Sequence, residues 1–295
     1  MEISGRTKMI CLLGSPVAHS LSPAMHNEGF KQLDLDYSYL AFDIKEGELQ
    51  GVLDSFKRMG VRGFNLTMPL KTEMVGLCDK LSTAAEIAGT VNTVVIEEDG
   101  TVTGHTTDGI GFTESARQSG VDFAGKKVTL LGTGGAGIAI LVQLALDGAG
   151  EVTVFERAGS RFRGRTAKVV NELNSRTSCR VNVLDYDDSS LKREISESAL
   201  LINATNIGMA PNSDGNLIKD ASWLTERAPG ITEPLAVSDV IYNPRKTKLL
   251  EMAEECGLNA FNGMYMLLYQ GAAAFELWTG QKMPVETVKE KYFKI

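Results

Sequence analysis

The sequence predicts an α/β protein of two domains, and three observations carry that expectation. Short apolar runs alternate with stretches of helical period along most of the chain, the pattern of βαβ units and of mainly parallel sheets faced by helices. A glycine-rich turn lies in mid-chain between an apolar run and an apolar helix, with a long segment ahead of it that must form a body of its own. At 295 residues the chain is long enough for two domains of ordinary size.

In the first segment, residues 9–13 and 37–42 read as strands, and residues 46–59 carry a helical period stopped by Gly60. A further strand is predicted at 61–66, and residues 91–97 and 101–104 read as a hairpin about Glu98-Asp99-Gly100. The second segment repeats the alternation, with candidate strands at 127–131, 151–155, 181–184, 200–204 and 235–241. The helix at 138–146 follows the glycine turn and closes at Gly148-Ala149-Gly150. Residues 247–256 form an amphipathic helix stopped by Gly257, and 263–278 a longer apolar helix carrying Gln270 and Glu276. Neither is needed to complete a doubly wound sheet, so these C-terminal helices are expected to return to the first domain. The expected domains are 1–108 with 246–295, a mainly parallel α/β substrate domain, and 109–245, a Rossmann-like doubly wound nucleotide domain.

The mid-chain turn reads Gly132-Thr133-Gly134-Gly135-Ala136-Gly137, a G-x-G-x-x-G pattern between strand and helix. In that context Gly132 permits a tight turn, Gly134 admits a pyrophosphate close to the backbone, and Gly137 lets helix pack on strand. The helix start, with Gly135 and Ala136, then offers free N–H groups to phosphate. The next strand ends in Glu156, 19 residues beyond Gly137, where a carboxylate bonds an adenosine ribose and repels a 2′-phosphate. Arg157, Arg161, Arg163 and Arg165 follow, and arginine is what grips a 2′-phosphate. NAD is therefore the favoured cofactor, with NADP use left open.

A net charge of −7 argues against a nucleic-acid partner, and no apolar run reaches the roughly 20 residues that span a bilayer. Four scattered cysteines and three histidines make neither a disulfide framework nor metal-ligand spacing, so no metal is expected. The polar start lacks a secretory core. Together these predict a cytoplasmic protein with a small-molecule partner, monomeric or homodimeric.

Ligands of open α/β sheets sit beyond the carboxyl ends of the strands. At those ends the first segment carries Gly14-Ser-Pro-Val-Ala-His-Ser-Leu-Ser-Pro-Ala-Met-His-Asn27, then Asn65-Leu-Thr-Met-Pro-Leu-Lys71, then Val91-Asn92-Thr93 and Gly104-His-Thr-Thr-Asp-Gly109. Singly, Ser20, Ser22 and Asp108 read as helix caps and Lys71 as a solvated lysine. Jointly, these hydroxyls, an amide, a lysine and a carboxylate suit a small, hydroxylated, anionic ligand.

These runs, with Asn203-Ala-Thr-Asn, Asp239-Val-Ile-Tyr-Asn-Pro and Gln270-Gly-Ala, occur in the order of the shikimate dehydrogenase family, which the chain resembles over nearly its whole length. The opening Ile3-Ser-Gly-Arg-Thr-Lys leans toward the quinate/shikimate branch. The resemblance implies a nicotinamide-dependent oxidoreductase that interconverts shikimate and 3-dehydroshikimate, and by extension quinate and 3-dehydroquinate. It implies that Ser20 and Ser22, with Tyr242, hold the substrate carboxylate, and that Thr67, Asn92 and Gln270 bind ring hydroxyls. Lys71 and Asp108 match the catalytic pair, while Thr205, Gly263 and Met266 match positions near the cofactor. Two positions depart from the family: Thr106 replaces an asparagine, and Tyr265 a glycine of the Gly-x-Gly-Met run. Two other readings stand beside the enzyme: a non-catalytic relative that senses quinate or shikimate, and a dehydrogenase of another hydroxylated acid. Chemistry favours a lysine–carboxylate pair for turnover, because hydride delivery to a ketone builds negative charge on oxygen that a cationic proton donor stabilises.

Overall fold

The computed structural model describes residues 3–293 and contains two six-stranded sheets. The first is built from β1 (Lys8–Gly14), β2 (Tyr37–Asp43), β3 (Gly63–Leu66), β4 (Lys80–Leu81), β5 (Thr93–Ile96) and β6 (Val102–His105), in the order β2-β1-β3-β5-β6-β4. Its pairings are parallel except where β5 meets β3 and β6, the predicted hairpin being the β5–β6 turn. Cys11, Leu13, Phe64 and Val94 are among the buried side chains of its core. The helix Ser22–Gln32 packs on β2, and the apolar stripe of Leu49–Met59 buries Leu49, Leu53 and Phe56. Trp278, on the helix Met264–Thr279, donates its indole N–H to the Val94 carbonyl at 2.9 Å. A side chain at Gly63 would run into both groups, which is why β3 starts on glycine.

The second sheet is parallel throughout: β7 (Lys127–Leu131), β8 (Glu151–Glu156), β9 (Arg180–Asp185), β10 (Leu200–Asn203), β11 (Ala236–Asp239) and β12 (Asn259–Asn262), in the order β12-β11-β10-β7-β8-β9. Renumbered within the sheet this is 6-5-4-1-2-3, the arrangement of a dinucleotide-binding fold. Its switch point lies between β7 and β10, where the glycine turn leaves β7.

By compactness the chain divides into one unit of 1–111 with 267–295 and a second of 112–266. The crossings fall inside the helices Asp108–Gln118 and Met264–Thr279. The expected return at residue 246 is therefore too early: the helix Lys248–Glu255 and β12 belong to the second unit. Between the two helices expected to be unneeded by the second sheet lies β12, an unanticipated strand that pairs with β11 from Asn259↔Ala236 to Asn262↔Asp239. Asn-Ala-Phe-Asn is four residues long with asparagine, a poor strand former, at both ends, so its extended state comes from pairing rather than local preference.

Candidate active site

Because β1 and β3 run parallel, their carboxyl ends share one edge of the first sheet. Two backbone bonds join the segments that leave them: Ser15 N–H to the Met68 carbonyl at 3.0 Å and Thr67 N–H to the Leu13 carbonyl at 2.9 Å. A side chain at Gly14 would collide with the Thr67 methyl, so Thr67 lies against the segment that leads to Ser20 and Ser22. Ser22 is buried at the start of Ser22–Gln32, and its N–H donates to Ser20 Oγ at 3.2 Å. Neither serine is the helix N-cap: that position is Leu21, with no side-chain cap.

The antiparallel hairpin brings the start of β5 and the end of β6 to the same edge, through Asn65↔Thr93 and Thr93↔His105. There Lys71 Nζ lies 2.6 Å from Asp108 Oδ2, both side chains being largely buried at 26% and 15% exposure. The other carboxylate oxygen, Oδ1, accepts from Asn92 Nδ2 at 2.9 Å. The same Nδ2 lies 3.5 Å from Gln270 Oε1 and 3.1 Å from Thr107 Oγ1. Asp108 heads Asp108–Gln118, yet both its oxygens are engaged by side chains, which displaces the plain cap reading. Lysine, carboxylate, amide and glutamine thus form one cluster within the first unit, with a cation–carboxylate pair placed to exchange a proton with a hydroxyl. Tyr242 is 44% exposed beyond the end of β11 and belongs to the second unit.

Sequence reasoning gave no role to Tyr39 or Asn65. Tyr39 Oη donates to Asn65 Oδ1 at 2.8 Å, and Asn65 Nδ2 donates to the Asn92 carbonyl at 3.1 Å and to Thr93 Oγ1 at 2.9 Å. The available signal was an asparagine within the buried strand Gly63–Leu66, a position where an unpaired amide is costly.

In the second unit the glycines of the mid-chain turn have distinct reasons. Gly132 has φ +93°, and a Cβ there would lie 2.7 Å from Thr205 Cγ2. A side chain at Gly137 would strike the Gly132 carbonyl, whereas Gly134 and Gly135 face open space. The helix Gly135–Leu146 starts after Gly134 without a side-chain cap, leaving the amides of Gly135, Ala136 and Gly137 for an anion. Glu156 is 2% exposed; its Oε1 accepts from Thr133 Oγ1 at 2.8 Å, and its Oε2 has no hydrogen-bond partner among the described residues. A buried carboxylate oxygen held open in this way fits a ribose hydroxyl donor.

Of the nearby arginines, Arg163 pairs with Asp185 at 2.7 Å and Arg165 donates to the Thr133 carbonyl at 3.1 Å, while Arg157 and Arg161 are exposed. Thr205 Oγ1 donates to Asn203 Oδ1 at 2.7 Å. Asn203 Nδ2 in turn bonds Asp239, whose carboxyl burial pushes up in pKa. Gly263 is glycine for packing, since a side chain would enter the Val240 backbone; Met266 is half-buried at the end of the second unit. Replacing Gly137 by alanine is expected to cost roughly 1–3 kcal/mol of stability by overpacking. Thermal unfolding checks this, and unchanged stability would refute the close-packing account of Gly137.

No group of three or more His, Cys, Asp or Glu among the described residues could hold a metal, and no helix there is long and apolar enough to cross a membrane.

The chain matches two family models: the shikimate dehydrogenase substrate binding domain over residues 12–94, and the shikimate 5′-dehydrogenase C-terminal domain over 263–291. It is 46% identical to a shikimate dehydrogenase (NADP(+)) of Listeria monocytogenes, over 99% of this chain and 98% of that protein. It superposes on the crystal structure of a Listeria monocytogenes shikimate 5-dehydrogenase in complex with shikimate and NAD with a TM-score of 0.92 at 45% identity, covering 98% of each chain. A quinate dehydrogenase from Corynebacterium glutamicum in complex with NAD superposes with a TM-score of 0.82 at 28% identity, covering 98% of this chain and 99% of that one.

Proposed function

The chain belongs to the shikimate dehydrogenase family, and from that premise we propose that it interconverts shikimate and 3-dehydroshikimate with a nicotinamide cofactor. The observation that carries this reading is the 2.6 Å contact of Lys71 with Asp108 inside a cluster of amide and hydroxyl groups. When bound, the nicotinamide supplies hydride to the ketone or removes it from the alcohol. In reduction, Lys71 stabilises the charge that develops on the substrate oxygen and gives it a proton from Nζ; in oxidation it takes that proton back. Asp108 holds the ammonium in place and neutralises it. Asn92, Gln270 and Thr67 bind ring hydroxyls, and Ser20 and Ser22 hold the substrate carboxylate. An intact lysine–carboxylate pair weighs against a sensor without turnover, which has no need of proton transfer.

The nucleotide is held by the open amides of Gly135, Ala136 and Gly137, above Gly132 and Gly134, with Thr205, Gly263 and Met266 nearer the nicotinamide. NAD is favoured over NADP because the free Glu156 Oε2 accepts from a 2′-hydroxyl and repels a 2′-phosphate. Arg157 is the group that would temper this preference.

Nucleotide reduction followed at 340 nm, with shikimate and quinate each offered NAD and NADP, tests the reading. Shikimate turnover is expected, with kcat/KM higher for NAD. Failure of the folded protein to turn over shikimate with either nucleotide would overturn the proposal. In Glu156→Asn, NAD affinity should fall and NADP affinity rise, together shifting the preference by about 10-fold or more. Calorimetric titration of both nucleotides reads this directly, and an unchanged ratio would remove Glu156 as the discriminator.

A further inference from the structure

Behind Lys71 and Asp108 lies a chain of buried polar side chains whose hydrogen-bond directions are fixed at two backbone anchors. The Asn92 carbonyl can only accept, so the Asn65 atom 3.1 Å from it must be Nδ2. That turns Asn65 Oδ1 toward Tyr39, whose hydroxyl must then donate at 2.8 Å. The Thr107 N–H can only donate, so the Asn92 atom 2.7 Å from it must be Oδ1. Asn92 Nδ2 is thereby aimed at Asp108 Oδ1, 2.9 Å away. Thr93 Oγ1 links the two amides, accepting from Asn65 Nδ2 at 2.9 Å and donating to Asn92 Oδ1 at 3.0 Å. Tyr39 and Thr93 are fully buried, Asn92 and Asn65 are 2% and 5% exposed, so water does not replace a lost partner.

We infer that Tyr39, Asn65 and Thr93 are positioning residues of the acid–base pair: they lock the Asn92 carboxamide so that its N–H₂ holds Asp108 as a carboxylate facing Lys71. Asn92 consequently has a second task besides any hydroxyl it binds. A rotated Asn92 would present its oxygen to Asp108, and two acceptors in contact would push the carboxylate away from Lys71. The inference rests on the dehydrogenase reading above.

Two variants delete a single hydroxyl while keeping shape. Tyr39→Phe retains the ring that stacks on His26 at 4.5 Å, and Thr93→Val is isosteric. Each is expected to lower kcat by about 10- to 100-fold through misplacement of the pair, with shikimate affinity by calorimetry changed far less. In an Asp108→Asn background the same deletions should change turnover by less than about twofold, since no carboxylate remains to be held. A kcat near wild type in both variants overturns the inference, as does an equal loss with and without Asp108, which would mark a merely structural role. Wild-type protein that fails to turn over shikimate would instead overturn the parent reading, and this inference with it.

Discussion

Lys71→Ala is expected to lose ~10²–10⁴-fold in kcat for shikimate oxidation while binding of shikimate, read by calorimetry, weakens much less. The lysine sits 2.6 Å from a carboxylate that an amide braces on its other side, so its ammonium is oriented rather than mobile. In the oxidation direction alanine removes the amine that takes up the hydroxyl proton and, with it, the ammonium that stabilises alkoxide character on the oxygen. Under the proposed roles of Asn92, Gln270, Thr67 and the serines the substrate keeps its binding groups, so the loss should fall on kcat more than on affinity. Lys71→Arg restores the charge but not the exchangeable proton, because guanidinium does not deprotonate near neutral pH. It should therefore recover binding without recovering oxidation. Turnover by Lys71→Ala within tenfold of wild type would remove Lys71 from the chemistry.

The second large effect concerns stability toward acid. His26 is fully buried, neither ring nitrogen has a hydrogen-bond partner among the described residues, and the ring is stacked on Tyr39 and edge-on to Trp278 at 5.3 Å. Burial lowers its pKa from the usual 6.5 to about 3, since a charged imidazolium there would have neither water nor a counter-charge. The folded state thus stays neutral across the window from 6.5 to about 3, where the unfolded chain takes up a proton. More protons are bound on unfolding, so stability is full above pH 6.5 and falls as the solution is acidified through that window. Each pH unit well inside the window costs about 1.4 kcal/mol, roughly 5 kcal/mol in all.

Urea unfolding at pH 7 and pH 4.5 should show wild type losing roughly 2–3 kcal/mol more between the two conditions than His26→Leu, whatever their difference at pH 7. Equal losses in the two proteins would exclude His26 as the acid-labile group. This histidine stands in the run that carries the family resemblance, yet its contacts make it a core residue of the first unit rather than a ligand of the site.

The backbone and packing demands of the mid-chain turn were legible in the sequence. The reasons assigned to Gly132 and Gly137 are the ones found: a positive φ and a close approach of helix to strand. Each depends on a few neighbouring residues, so sequence alone carries it. The β5–β6 hairpin was read for the same reason, as Glu98-Asp99-Gly100 forces a reversal between two apolar runs. Strand β12 was missed because its four residues have no strand preference of their own, and with it the true crossing point of the chain near residue 267. Tyr39 and Asn65 were passed over because a polar atom in a buried strand announces a partner without naming it.

Periodicity, turn chemistry and the strand–glycine–helix pattern determined by themselves that this is a two-domain α/β chain with a tight glycine turn between strand and helix, because those signals act over one or two turns of backbone. Tertiary structure alone decided that Lys71 would meet Asp108 across 37 residues and Asn92 meet Gln270 across 178. Those meetings follow from the order in which strands lie side by side, β3 next to β5 and β5 next to β6, with the C-terminal helix laid over them. A strand's pattern says which face it buries; which strand it pairs with is settled by the packing of the whole sheet, and the chemistry of this site depends on that pairing.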